Sequence, residues 1–303
     1  PPDYHKVDKI LKTRFGQVYL YTAETPDSMQ GAALKGFALD EPGLMVLKAY
    51  ETALQRVSMM GGQVMLASTP YNLGWLKSEV VEKDGTNGIH VERWRSIDRP
   101  GFPRESYEAM KLKLPPWRFA MLYDALFEHP EGLIYNAFNE RDCLVDRFPI
   151  PKEWPIYVGH DFGSSNPAAL FFAIDPATGI KWVWQEYLPG PGLSPFQHVE
   201  AWKKITEGRN VLVRMGGSHQ EQGWRDSYTQ QGWHIQEPND SGSGSVEVQI
   251  ARVIGEHQRN RIKVFRDCVH YLDEKRTFSR KLGDDSKPTD KIDNEAAYHL
   301  ISA

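Results

Sequence analysis

Asp161 closes the run Tyr157-Val-Gly-His-Asp161, and Phe162-Gly-Ser-Ser-Asn-Pro167 follows it with small and turn-forming residues. A carboxylate held at a strand end among small residues is a hard oxygen ligand suited to Mg²⁺ or Mn²⁺. Two such ions can clamp the attacking and leaving oxygens of a phosphodiester. The plainer role for Asp161 is a turn cap beside Gly163. A second acidic position lies upstream, where Ala33-Leu-Lys-Gly-Phe-Ala-Leu39 runs directly into Asp40-Glu41-Pro42. In a nucleotide hydrolase the first acid of such a pair holds the Mg²⁺ that bridges the β and γ phosphates, and the second polarises the attacking water. The plainer role here is a solvated strand-to-helix turn capped by Asp40. Ser68-Thr69-Pro70 follows another apolar run after a single helix, at the position where helicase-like motors couple the γ-phosphate state to movement.

These residues need elements to hold them. The run into Asp161, with the Gly/Ser/Asn break after it, predicts a β-hairpin, one strand into Asp161 and a second, apolar strand over Ala168–Ile174, with a turn at Asp175–Gly179 and a third strand of alternating character over Ile180–Tyr187. Upstream, Gln17–Thr22 reads as a strand, Glu24–Gly31 as a polar loop, Leu44–Met59 as a helix ended by Gly61-Gly62, and Gln63–Ala67 and Ile89–Arg93 as strands. That order predicts a mostly parallel α/β sheet whose carboxyl end carries Asp40 and Glu41. Pro103–Met121 reads as helical pieces broken at Pro115-Pro116. Residues 129–154 are rich in Pro, Gly and turn residues and read as a linker between domains at 1–128 and 155–303. Downstream, the spacing predicts a helix at Pro195–Thr206, a strand at Asn210–Met215 and a helix at Trp224–Gln231. It continues with a fifth strand at Gly232–Pro238, a loop at Asn239–Ser245 (a candidate hairpin or DNA-facing loop), and a helix at Val246–Arg259. A strand at Ile262–Phe265 and a helix at Cys268–Thr277 complete the series.

A chain of 303 residues with 40% hydrophobic and 25% charged residues is long enough for two ordinary cores. The net charge of −4 excludes a global basic field, so nucleic-acid contact must come from local patches. Eight Lys/Arg against three Asp/Glu between Arg259 and Lys281 form one such patch, suited to a phosphate backbone or to a solvated helix face. Cys143 and Cys268 have no metal-ligand spacing and imply a reducing compartment. No apolar run approaches a membrane span, no signal peptide is visible, and there is no internal repeat. The chain opens on Pro1-Pro2-Asp3, and both ends read as cut.

Ser28-Met-Gln-Gly31, Phe37-Ala-Leu-Asp40-Glu41-Pro42 and Met65-Leu-Ala-Ser-Thr-Pro70 together resemble the large subunit of tailed-phage terminase, the DNA-packaging motor. The resemblance continues through Leu114-Pro-Pro-Trp-Arg-Phe119 and Gly132-Leu-Ile-Tyr-Asn-Ala-Phe138. It implies an α/β chain: the C-terminal half of a P-loop (ASCE-type) ATPase domain, followed by a ribonuclease H-like nuclease domain. Asp40 and Glu41 would be the Walker B pair, and Ser68, Thr69 and Pro70 the coupling motif. No Gly-x-x-x-x-Gly-Lys-Ser/Thr phosphate loop is present, and the family places that loop upstream. ATP-Mg²⁺ is therefore expected only of a full-length protein.

In the nuclease the resemblance makes Asp161 the first metal ligand, with Mg²⁺ or Mn²⁺ as cofactor. The family has an Asp near Gly216-Gly217, and this chain does not; Glu221, beside His219, is the nearest acid and the expected second ligand. Its alternative role is a first-turn acid favoured by the helix dipole. The family's last motif, His-x-x-Asp-Ala on a helix, reads His299-Leu-Ile-Ser302-Ala303 here, with Ser in place of the acid. Either Asp293 supplies the third acid from about two turns back, or the site is weakened; His299 is the other candidate member. The implied function is ATP-driven translocation of DNA plus metal-dependent endonucleolytic cleavage of concatemers. Double-stranded DNA, a portal protein and a small terminase subunit would be partners, in a homo-oligomer within the bacterial host cytoplasm. The alternative is a decayed prophage relative that binds DNA or partners without cutting.

Overall fold

A computed structural model describes the chain except for residues 1–2, 6–8, 24–28, 32, 129–130, 164–166, 239–244 and 284–286. Residues 24–28 of the Glu24–Gly31 loop, Ser28 among them, and nearly all of the Asn239–Ser245 loop therefore lie outside the described residues. The chain divides into two compact units, Pro1–His129 and Pro130–Ala303.

In the first unit β1 (Asp3–His5), β2 (Ile10–Thr13) and β3 (Gly16–Tyr19) form a three-stranded antiparallel sheet. A separate parallel pair joins β4 (Gly36–Asp40) to β5 (Gln63–Ala67) through α1 (Leu47–Ser58), whose Leu47, Ala49, Ala53 and Val57 are buried at helical spacing. The expected strand over Ile89–Arg93 does not form. Its alternation has no partner strand, and the Val91 N–H donates to Asp84 Oδ1 at 2.9 Å instead of to a ladder. Helices α2 (Arg104–Lys113) and α3 (Pro116–Asp124) complete the unit, with Pro116 at the first position of α3, where no N–H is needed.

The second unit is built on a six-stranded sheet. After the short α4 (Glu140–Cys143), β6 (Leu144–Val145) forms one edge, so the stretch read as a linker contributes a strand to this unit. β7 (Ile156–Asp161), β8 (Ala168–Ile174) and β9 (Lys181–Tyr187) form an antiparallel meander. Helix α5 (Pro195–Ile205) leads into β10 (Val211–Gly216), which runs parallel to β7. Beyond α6 (Gln222–Gln230), the expected fifth strand is reduced to one parallel bridge, Met215 to Gln236. Three antiparallel strands followed by two parallel additions beside the first are the topology of a ribonuclease H-like sheet. On its far side, α7 (Ser245–Gln258) delivers β11 (Ile262–Phe265) parallel to β9, and β6 pairs with β11.

The core follows from the pleat. Ile156, Val158 and His160 of β7 are buried on one face, with Trp202, Val199 and Trp233 in the same buried cluster. Tyr157, Gly159 and Asp161 occupy the other face. The chain then forms α8 (Val269–Thr277), an antiparallel hairpin of β12 (Arg280–Leu282) and β13 (Pro288–Ile292), a 3₁₀ turn, and α9 (His299–Ser302). Among the described residues no helix is long and apolar enough to cross a membrane.

Candidate functional site

In the first unit the parallel register pairs Asp40 with Ala67, so Asp40-Glu41 and Ser68-Thr69-Pro70 leave the sheet side by side at its carboxyl end. Glu41 Oε2 accepts from the Thr69 N–H at 3.0 Å and lies 3.3 Å from Ser68 Oγ, which itself accepts from the Gly43 N–H at 3.1 Å. Glu41 holds this position from a left-handed backbone, φ 54° and ψ 48°, uncommon for a residue with a Cβ. A cleft of about 570 Å³ opens beside Ser68, Thr69 and Pro70, walled by Trp94, Arg99 and Met121. Two motifs far apart in sequence thus meet through hydrogen bonds.

In the second unit Asp161 is met by one of its expected companions. Asp161 Oδ2 lies 2.8 Å from His299 Nδ1, both side chains about one-quarter exposed at 24% and 26%. The carboxylate holds the imidazole pKa above its ordinary value, chiefly through this hydrogen bond. Gly159 makes the approach possible. A Cβ there would stand 1.8 Å from the Ala303 carbonyl oxygen, so only glycine lets α9 lie on β7 two residues from Asp161.

The other expected ligands are placed elsewhere. Glu221 ends a 3₁₀ turn, and its Oε2 accepts from the Ser218 N–H at 2.6 Å in a capping box. Asp293 follows β13 on the hairpin and is exposed; it is not two turns back along the helix of His299, because that segment is strand and 3₁₀ turn. Among the described residues no three His, Cys, Asp or Glu side chains come together in a group that could hold a metal ion. The set Asp161, Glu221 and Asp293 is therefore not assembled: Glu221 is turned back to cap its own helix, and Asp293 belongs to a different element. The donors fit a divalent cation in part, through the Asp161 carboxylate.

The missing acid at Gly216-Gly217 has a packing reason. A Cβ on Gly216 would stand 2.1 Å from the His160 carbonyl oxygen, and one on Gly217 would stand 2.4 Å from Phe162 Cε2. Arg225, 2% exposed, donates from Nη1 to the carbonyls of Gly216 at 3.2 Å and Ser218 at 2.9 Å, fixing the loop from below.

Sequence reasoning missed Glu274. It sits on α8, 7% exposed, and Oε2 accepts from the Ile301 N–H at 2.8 Å. Burial pushes its carboxyl up to about 8. No local pattern announces such a residue, since its partner lies on another helix 27 positions on. The basic run from Arg259 to Lys281 is mostly engaged within the domain. Arg266 pairs with Asp146, Arg276 with Glu140 and Arg280 with Glu247, and Lys275 is buried.

Fold and site define a class: a parallel α/β pair carrying Asp40-Glu41 and Ser68-Thr69-Pro70 at its carboxyl end, followed by a ribonuclease H-like sheet with an Asp at the end of its first strand. No protein-family model matches the chain. The large terminase subunits of Thermus virus P23-45 and Thermus phage G20c are each 25% identical to it over 182 residues, covering 52% of this chain. The chain covers 38% of the length of those relatives. The large terminase of a thermophilic bacteriophage, solved in complex with ADP, aligns at TM-score 0.49 and 18% identity over 100% of this chain and 77% of that one. The chain is similar to the large terminase subunits of tailed phages.

Proposed function

We propose that this chain is part of a large terminase subunit whose second domain, residues 155–303, cuts double-stranded DNA with Mg²⁺ or Mn²⁺. Residues 1–128 would be the partial motor domain, and residues 129–154 would lead into the second domain, to whose sheet they add β6. In the intact protein Asp40 and Glu41 would serve ATP-driven translocation, with Ser68, Thr69 and Pro70 passing the nucleotide state to the DNA grip. The portal protein, the small terminase subunit and further copies of the chain would be its partners in the host cytoplasm.

The observation that carries the reading is the placement of Asp161. It stands at the carboxyl end of the first strand of a ribonuclease H-like sheet, open to solvent on one side and held by His299 on the other. A bound divalent ion would supply Lewis-acid stabilisation of the phosphodiester oxygens. Asp161 would hold it, and His299 would orient the carboxylate and hold a proton at Nδ1. Glu221, Asp293 and His299 are proposed as further members of the site. Supercoiled plasmid incubated with the chain and Mn²⁺ is expected to be nicked, with nicking abolished by EDTA and by Asp161→Ala. A folded wild-type chain that nicks nothing would favour the alternative of a relative that binds without cutting. The unassembled acid set gives that alternative its support.

A further inference from the structure

We propose that Glu274 is a positioning residue for the Asp161–His299 pair, clamping the first turn of α9 from α8 and so setting the imidazole against Asp161. The inference rests on the reading of Asp161 as part of the nuclease site.

α9 spans four residues, His299–Ser302, and a single turn does not hold itself together in water. Something outside it must fix the angle at which His299 leaves the chain. Leu300 is fully buried in the core and anchors one side of the turn. Gly159 admits the Ala303 carbonyl against β7 and fixes the far end. The near end is fixed by Glu274, whose Oε2 accepts from the Ile301 N–H at 2.8 Å. This is a first-turn donor with no partner inside the helix.

A carboxylate buried this deeply is retained only with hydrogen bonds to satisfy it, and these come from α9. Packing alone would be served as well by Leu or Met, which bury without a desolvation penalty. What an apolar side chain cannot do is accept the Ile301 N–H. Without the acceptor the turn loses its register, and His299 Nδ1 loses its 2.8 Å contact with Asp161. Glu274 thus acts through His299 and does not itself reach Asp161.

The test uses the 303-residue chain labelled with ¹⁵N-histidine. The Nδ1-bound proton of His299, slowed in exchange by its bond to Asp161, is assigned by its loss in His299→Gln. It is expected in the wild type and in Glu274→Gln, whose amide oxygen still accepts from Ile301. It is expected to vanish in Glu274→Ala and in Glu274→Asp, which withdraws the carboxylate by one methylene. Plasmid nicking with Mn²⁺ is expected to follow the same order: Glu274→Gln close to wild type, the other two lower by on the order of 100-fold. Should Glu274→Ala not fold, Glu274→Asp against Glu274→Gln makes the same comparison. A proton that persists in folded Ala and Asp variants, or that is absent from the wild type, overturns the proposal. So does full nicking after the proton is lost. A wild-type chain with the proton and without nicking keeps the clamp and overturns the nuclease reading.

Discussion

Gly217→Asp, the substitution that would restore an acid where the family carries one, is expected to destabilise the second domain severely. Gly217 has φ +72°, and a Cβ there would stand 2.4 and 2.5 Å from two carbons of the buried Phe162 ring. The left-handed backbone costs a residue with a Cβ about 1 kcal/mol, and forcing a core ring aside adds roughly 1–3 kcal/mol. The new carboxylate would also enter a loop whose carbonyls already take the Arg225 guanidinium. The sum, on the order of 2–4 kcal/mol, is a large share of the stability of an ordinary domain. It corresponds to a fall in Tm of roughly 5–15 °C. Gly223→Ala is the matched control: nothing lies within 4 Å of its Cβ position on α6, so Tm should hold or rise. Thermal unfolding followed by circular dichroism decides it. A Gly217→Asp variant melting with the wild type would mean that Phe162 does not pack as described.

Lys275→Met is expected to stabilise the protein and to remove a pH dependence. Lys275 is 1% exposed, its Nζ lying 4.0 Å from the Tyr135 ring centroid and 3.2 Å from Tyr271 Oη. Burial pushes its pKa down to about 7. An unfolded chain would carry a lysine of ordinary pKa, 10.5, so between pH 10.5 and about 7 unfolding takes up a proton that the folded state refuses. Stability therefore falls as pH falls through that window, by about 1.4 kcal/mol per unit, and levels off below it. Glu274, raised to about 8, runs the other way, losing stability as pH rises from its ordinary value to about 8. Above pH 8 the lysine acts without that opposition. Chemical denaturation of wild type and Lys275→Met between pH 8.5 and 10 should give a difference that shrinks with rising pH. The variant should gain on the order of 2–4 kcal/mol at neutral pH, because Met keeps the aromatic contacts without a charge to desolvate. A pH-independent difference would mean that Lys275 stays protonated in the fold.

The parts of the fold legible in sequence were those whose pattern is local. The run into Asp161 and the small and turn residues after it found β7, in which Ile156, Val158 and His160 alternate with Tyr157, Gly159 and Asp161. The helical spacing from Leu47 to Val57, and the apolar runs before Asp40 and Ser68, located the parallel pair. The same alternation misled at Ile89–Arg93, where a strand needs a neighbour and the chain offers none. It also could not find β6, two residues long and held by pairing to β11. Asp161 and His299, the two candidates that the fold brings together, both stand on motifs. Asp293 was misplaced because a helical count was carried through a segment that folds as hairpin and 3₁₀ turn. Glu274 was invisible because its role is set by where α8 and α9 cross, which neither segment encodes alone.

Glu274 and Lys275 are neighbours on one turn of α8, and successive helical residues project about 100° apart. One therefore faces α9 and the Asp161 side, while the other lies over Tyr135, in a second buried cluster with Ile250, Phe278 and Tyr298. A roll of α8 that slackened the grip on α9 would drag the lysine side chain across an aromatic face. The helix is thereby a spindle with a load on each side.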